Sequence, residues 1–157
     1  RKYLLNYYIE EFRTTLFRQT MFAEFELKAH EEIEKGGVLT AEWLNETYGR
    51  LNGDYFGPAM EKDDYIQYEW ARIPHFYRGF YVYQYATGYS AATAISAKIL
   101  NEGEKARDNY IRFLESGSSN YPVELLKIAG VDMASPEPVK MAMETFKNLV
   151  EELEKIL

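Results

Sequence analysis

Between residues 73 and 89 the chain reads Ile73-Pro74-His75-Phe76-Tyr77-Arg78-Gly79-Phe80-Tyr81-Val82-Tyr83-Gln84-Tyr85-Ala86-Thr87-Gly88-Tyr89. This stretch holds one of only two histidines in the protein and a dense run of its 14 tyrosines. Imidazole donates or accepts a hydrogen bond, and a phenol O–H can donate to a developing oxyanion while itself staying neutral. Tyr77, Tyr81, Tyr85 and Tyr89 recur at steps of four. On a helix each such step drifts by about 40°, so neighbours share a face and the ends fan apart. A fan of phenols beside a groove can clamp a peptide backbone. Aromatics at helical spacing are more often plain core, which is how Phe80 and Tyr83 read. The cluster argues otherwise, because an unpaired buried phenol oxygen is costly and a core built only for packing would use Phe or Leu.

The second histidine lies in Ala29-His30-Glu31-Glu32-Ile33-Glu34. A zinc-protease helix needs His-Glu-x-x-His, with two imidazoles one turn apart to grip the metal and the glutamate to activate water. Ile33 and Glu34 stand where the second histidine belongs, so His30 reads as an exposed helix residue. With two histidines 45 positions apart and no cysteine, the chain by itself cannot form a typical zinc site. No residue is assigned as a metal ligand.

Composition narrows the class further. The 157 residues are one domain's worth of chain, 46% hydrophobic and 27% charged, with a high aromatic share of 16%. A formal net charge of -7 with no basic cluster argues against a nucleic-acid partner. The absence of cysteine excludes disulfides and is compatible with a reducing cytoplasm, where the protein is expected. No apolar run approaches the ~20 residues that span a bilayer, so no membrane role is expected. The chain opens Arg1-Lys2-Tyr3-Leu4-Leu5-Asn6, without methionine, signal peptide or helix cap, and reads as a piece of something longer.

The elements that must position the His75 stretch are helices throughout. Leu5, Ile9, Phe12, Leu16, Ala23 and Leu27 mark one long amphipathic helix from about Lys2 to Lys35, ended by Gly36-Gly37. Thr40 caps a second helix, which Asn52-Gly53 should stop. Gly57-Pro58 opens an irregular segment containing Glu61, Lys62, Asp63 and Asp64, followed by a short helix from Tyr65 to Ile73 with Trp70 inward. Pro74 and Gly79 make the His75 segment a loop. A helix should then run from Phe80 to Leu100, its alanines at 91, 92, 94 and 97 allowing close approach of another helix. Glu104 to Glu115 is the next, with Tyr110, Ile111 and Leu114 inward. A polar link at 116–120 leads to a short helix from Pro122 to Ala129. Ser135 should cap the last helix, whose core face is Val139, Met143, Phe146, Val150 and Leu153. No period-two strand and no repeat is present, so the fold class is all-α.

The segment Ile73-Pro74-His75-Phe76-Tyr77 through Phe80-Tyr81-Val82-Tyr83-Gln84-Tyr85-Ala86-Thr87-Gly88 resembles the signature that follows the zinc site in the oligoendopeptidase F family. These are zinc metallopeptidases related to thimet oligopeptidase. Leu4-Leu5 with Phe17-Arg18-Gln19-Thr20-Met21-Phe22-Ala23-Glu24-Phe25-Glu26 is similar to the helix just after the family's third metal ligand. Tyr121-Pro122-Val123-Glu124-Leu125-Leu126-Lys127 with Gly130-Val131-Asp132 is similar to a block near its C-terminus. The resemblance covers the whole chain, in order. It implies a single helical domain over residues 1–157 that is the C-terminal fragment of a zincin-type catalytic domain cutting short unstructured peptides. It places the zinc ligands and the His-Glu-x-x-His helix before Arg1. It further implies that His75 and Tyr85 are catalytic, binding the substrate carbonyl and tetrahedral intermediate, and that Tyr77, Tyr81 and Tyr89 contact substrate. The complete enzyme would hold zinc; the fragment would hold none, would be inactive, and would self-associate through the faces of Leu5, Ile9, Phe12 and Leu16 and of the tyrosine helix. The rival reading is a non-enzymatic, all-helical module that binds peptides or itself.

Overall fold

The computed structural model describes residues 1–61 and 63–157, so Lys62 lies outside the described residues. Among the described residues seven α-helices carry the fold: α1 (Lys2–Glu11), α2 (Arg18–Glu34), α3 (Ala41–Phe56), α4 (Tyr83–Glu102), α5 (Glu104–Glu115), α6 (Pro122–Ile128) and α7 (Glu137–Glu154). No strand occurs among the described residues, and the all-α expectation holds. Two 3₁₀ turns, Ile66–Arg72 and Pro74–Tyr77, fill the segment before α4. The chain divides into two compact units, named here for their place in the sequence: a central unit, 17–86, and a flanking unit, 1–16 with 87–157.

The expected first helix is interrupted by a π-helical turn at Phe12–Phe17. A turn closed i→i+5 holds more residues than an α turn, so the buried positions change phase across it. Leu5 before it and Phe12 and Leu16 within it are buried; after it the buried set is Met21, Phe22, Phe25 and Glu26, while Leu27 is exposed. Thr40 caps α3 as expected, its hydroxyl accepting from the Trp43 N–H at 3.2 Å. Asn52-Gly53 does not stop α3, which continues to Phe56 and ends at Gly57 with φ of 72°. Tyr55 and Phe56 pack on the core beyond the glycine and offset its cost of about 1 kcal/mol.

The central unit is built on Met21, Phe22, Phe25, Tyr48, Leu51, Ile73 and Val82, with Trp70 and Phe76 packed against them. Its interior holds polar groups, most of them paired; Gln19 Oε1 and His75 Nδ1 are the buried exceptions among the described residues. The Tyr48 hydroxyl donates to Glu69 at 2.7 Å, and Glu69 is gripped by Arg18 and Arg72. Burial and the Glu69 carboxylate push the Tyr48 pKa far above the ordinary phenol range. Trp70 Nε1 donates to Asn45 at 2.9 Å, and the Tyr55 hydroxyl donates to Glu24 at 2.9 Å.

The flanking unit packs small residues instead: Ala91, Ala94 and Ile95 of α4 meet Ala129 and Val131. Here α7 packs along α1, and Phe12 lies between Tyr89 and Phe146 at centroid distances of 5.0 and 5.5 Å. This corrects the expectation that the face of Leu5, Ile9, Phe12 and Leu16 is uncovered: Leu5, Phe12 and Leu16 are buried and Ile9 is half-buried, with α7 packed along α1. The exposed apolar groups of α1 are Tyr3, Leu4, Tyr7 and Tyr8. Two inward faces also differ from expectation. In α5 the buried side runs through Ala106 and Phe113, leaving Ile111 and Leu114 exposed. In α7 Pro138 and Ala142 are buried, whereas Val139 and Met143 are exposed along a shallow apolar groove. Ser135 does not cap α7, because its hydroxyl donates back to the Asp132 carbonyl at 2.9 Å.

Candidate active site

Pro74 fixes its own φ and pushes Ile73 out of the helical region, and Ile73 is extended at ψ 106°. Ile73 is itself buried, which anchors the loop at that point. The 3₁₀ turn Pro74–Tyr77 then carries His75, while Phe76 packs between Phe22 and Phe25 at 5.7 and 5.3 Å. The next helix does not begin at Phe80. That residue has φ of 56°, the one positive φ of a non-glycine among the described residues, and α4 starts at Tyr83. A left-handed residue cannot sit inside an α-helix, so Tyr77 and Tyr81 precede the helix that was expected to carry them.

Three rings nevertheless converge. His75 lies parallel to Tyr81 at 5.9 Å and edge-on to Tyr85 at 5.4 Å, and the two tyrosines meet edge-on at 5.6 Å. The Tyr85 O–H donates to the Tyr81 oxygen at 3.3 Å. His75 Nε2 and the Tyr85 hydroxyl share a second hydrogen bond at 3.2 Å, whose direction is set by the imidazole tautomer. Nδ1 is buried and has no hydrogen-bond partner among the described residues. With the imidazole proton on Nε2, the bonds run from His75 to Tyr85 to Tyr81 and leave the Tyr81 O–H as the outgoing donor. Both are long for their type, as is common in sites that tighten around a ligand.

Pro74, His75, Arg78, Tyr81 and Tyr85 line a cleft of about 310 Å³. Arg78 brings the cleft's permanent charge, its guanidinium 5.6 Å above the Tyr81 ring. The Tyr85 pKa is raised, first by the hydrogen bond shared with Tyr81 and then by desolvation, with Arg78 pulling the other way. The phenol is thus a neutral donor at physiological pH. A wider apolar groove in the flanking unit, about 450 Å³ between α4, α5 and α6, offers Tyr110 as its only titratable side chain and no convergent donors.

Tyr77 stands apart from the cluster, 86% exposed at the end of its 3₁₀ turn. Tyr89 belongs to the flanking unit, its ring edge-on to Phe12 and its pKa raised by burial and by Glu11. His30 is exposed, but its ring stacks on Phe80 at 4.4 Å. Sequence reasoning missed two participants: Phe80, whose backbone turns the loop, and Glu26, which accepts the Phe80 N–H at 2.7 Å. Glu26 falls on the buried side of α2 beside Phe22 and Phe25, and a carboxylate at such a position was the available signal. Among the described residues no group of three His, Asp or Glu side chains could hold a metal ion, so the donor set present does not fit zinc.

Comparison with known proteins places this all-helical chain in a family of peptidases. The Peptidase family M3 model matches residues 1–145, and the chain belongs to that family. It is 55% identical over its full length to oligopeptidase PepF of Bacillus subtilis strain 168, covering 23% of that protein. It is 49% identical over 98% of its length to the plasmid-borne oligoendopeptidase F of Lactococcus lactis subsp. cremoris, covering 26% of it. The crystal structure of oligoendopeptidase-F from Enterococcus faecium superposes with a TM-score of 0.95 at 52% identity, over 99% of this chain and 30% of that one. The chain thus spans about a quarter of the length of the curated relatives it matches.

Proposed function

We propose that this chain is the C-terminal part of a zinc metallo-oligoendopeptidase that cuts short, unstructured peptides, and that it supplies one wall of the active site. The observation that carries the reading is the hydrogen-bonded set of His75, Tyr85 and Tyr81 beside an open cleft. Zinc, held by residues outside this chain, would polarise the scissile carbonyl and generate the attacking nucleophile. No side chain of the described residues is assigned to hold it.

The work of this chain is donation. As the carbonyl carbon becomes tetrahedral its oxygen gains charge, and a phenol O–H aimed at that oxygen bonds more strongly than before attack. Tyr81 would make the direct bond, with His75 and Tyr85 behind it or beside it on the same oxygen. Such donors are worth about 2–4 kcal/mol each. Tyr77, Tyr89 and the ring of Tyr81 would contact the substrate to either side.

In the complete enzyme, His75→Ala, Tyr81→Phe and Tyr85→Phe should each lower kcat and kcat/KM together by roughly 100-fold, with KM and zinc content little changed. A normal kcat in all three variants removes the catalytic claim. This chain alone should neither bind zinc stoichiometrically nor cleave a quenched peptide, and chelator-sensitive turnover by it would overturn the division of labour. It should also self-associate through exposed apolar groups such as Leu4, Val139 and Met143. A monomer by sedimentation at micromolar concentration would contradict that.

A further inference from the structure

We infer that Glu26 is a positioning residue for the Tyr81 donor, acting through the backbone of Phe80; this rests on the reading of the cleft given above. The loop makes several of its backbone hydrogen bonds within itself. Phe76 N–H donates to Ile73, Arg78 N–H to His75, and Tyr81 N–H to Arg78, all within the loop. The Phe80 N–H leaves it, donating at 2.7 Å to a carboxylate oxygen of Glu26, 54 positions earlier on α2. Glu26 is only 7% exposed, so its carboxylate is committed away from water. A charged acceptor shortens and strengthens such a bond.

The conformation so held is one a phenylalanine avoids. At φ of 56° the residue carries a steric cost on the order of 1–2 kcal/mol, and it persists only where its surroundings over-determine it. Two contacts do so. Glu26 fixes the amide, and His30, one turn further along α2, stacks on the Phe80 ring at 4.4 Å. Phe80 is covalently joined to Tyr81. Its left-handed turn sends the chain from the 3₁₀ turn into α4 so that Tyr81 lies parallel to His75 and meets Tyr85. Releasing Phe80 to an ordinary φ would swing the Tyr81 phenol away from both. Among the described residues Glu26 shares no hydrogen bond or ion pair with a cleft side chain, and it acts through the loop.

The test compares Glu26→Ala with Glu26→Gln, which keeps a side-chain carbonyl able to accept the Phe80 N–H, and uses Glu24→Ala as control. Glu24, on the same helix, bonds Tyr55 and not the loop. By NMR on this chain, Glu26→Ala should speed Phe80 amide exchange at least about tenfold and shift the His75 and Tyr81 ring signals. In the complete enzyme it should lower kcat roughly 10- to 100-fold with KM little changed. Glu26→Gln should restore most of both, and Glu24→Ala should move neither. Unchanged His75 and Tyr81 signals in Glu26→Ala, the same shifts in Glu24→Ala, or no rescue by Gln would overturn the proposal. So would a normal kcat in Glu26→Ala where Tyr81→Phe and Tyr85→Phe are impaired. Should those two phenol variants retain normal kcat, the catalytic reading fails, while the exchange and ring signals still decide whether Glu26 holds the loop.

Discussion

The central unit hides carboxylates, phenols, an indole N–H and a guanidinium in its interior and pairs them. The flanking unit closes around alanines and keeps its charges outside, in surface pairs such as Lys98–Glu102, Lys127–Glu124 and Lys140–Glu137. These are two ways to specify a helical fold. Hydrogen-bonded polar groups admit few alternative arrangements, because each unmade bond is expensive, so they fix positions closely. Close-packed small residues bring backbones together but direct no particular polar atom. The candidate site lies in the unit built the first way, where the aim of a hydroxyl is set by bonds with direction.

The sharpest way to break this contrast is Glu69→Ala. It strands the Tyr48 hydroxyl and the Arg18 guanidinium around a carboxylate side chain only 9% exposed. Losing one member of such a buried set should cost about 3 kcal/mol, read by urea unfolding. A cost below about 1 kcal/mol would place the unit's stability in its aromatic packing. The counterpart in the flanking unit is Ala94→Leu at a position 1% exposed. Overpacking there should cost about 1–3 kcal/mol and leave the His75 and Tyr81 ring signals of the central unit where they were.

The smallest effect is also the most diagnostic. The Tyr55 pKa is pushed up to about 12 by burial, by its bond to Glu24 and by that carboxylate's charge. Burial alone would raise the Glu24 pKa, but Tyr55 and Lys28 outweigh it and hold it low. A phenol whose folded pKa exceeds its unfolded value of 10.0 stabilises fully below that value and loses the contribution as pH rises toward 12. A depressed carboxylate does the opposite and gives up its contribution as pH falls through its folded pKa. Tyr55→Phe should therefore cost about 1 kcal/mol near neutrality. The gap from the parent should close between pH 10 and 12, followed by thermal melting across that range. A gap constant with pH would mean that the variant lost packing and not a hydrogen bond.

Much of this was readable from the sequence, and the failures share a cause. Helix α5 was legible to the residue because Gly103 and the Ser116-Gly117 link bracket it with local signals. While the choice of Tyr85 came from the resemblance, that a histidine on a loop beside clustered tyrosines brings several hydrogen-bonding groups near one point was legible too. The phase within α5 was not, because Ile111, Phe113 and Leu114 are equally apolar and only α6 decides which side is covered. The four-step tyrosine fan failed at Phe80, where a contact from α2 overrides a local preference for helix. Long-range contacts of that kind leave no periodicity in the sequence. The groove on α7 shows the same limit: an apolar stripe predicts burial without saying what performs it.

The donors at the cleft are phenols, and a neutral dipole is felt over a much shorter range than a charge. Dissolved ions screen charge–charge attraction beyond about 10 Å at 0.1 M, but they leave an O–H bond to an oxygen in contact nearly untouched. Arg78 is the one permanent charge at the cleft's rim, so any sensitivity to ionic strength arising from this wall belongs to it. On the proposed function, raising salt should weaken the complete enzyme's capture of acidic peptides more than of neutral ones, with kcat for both unchanged. Substituting Arg78 by Gln should erase the difference in capture.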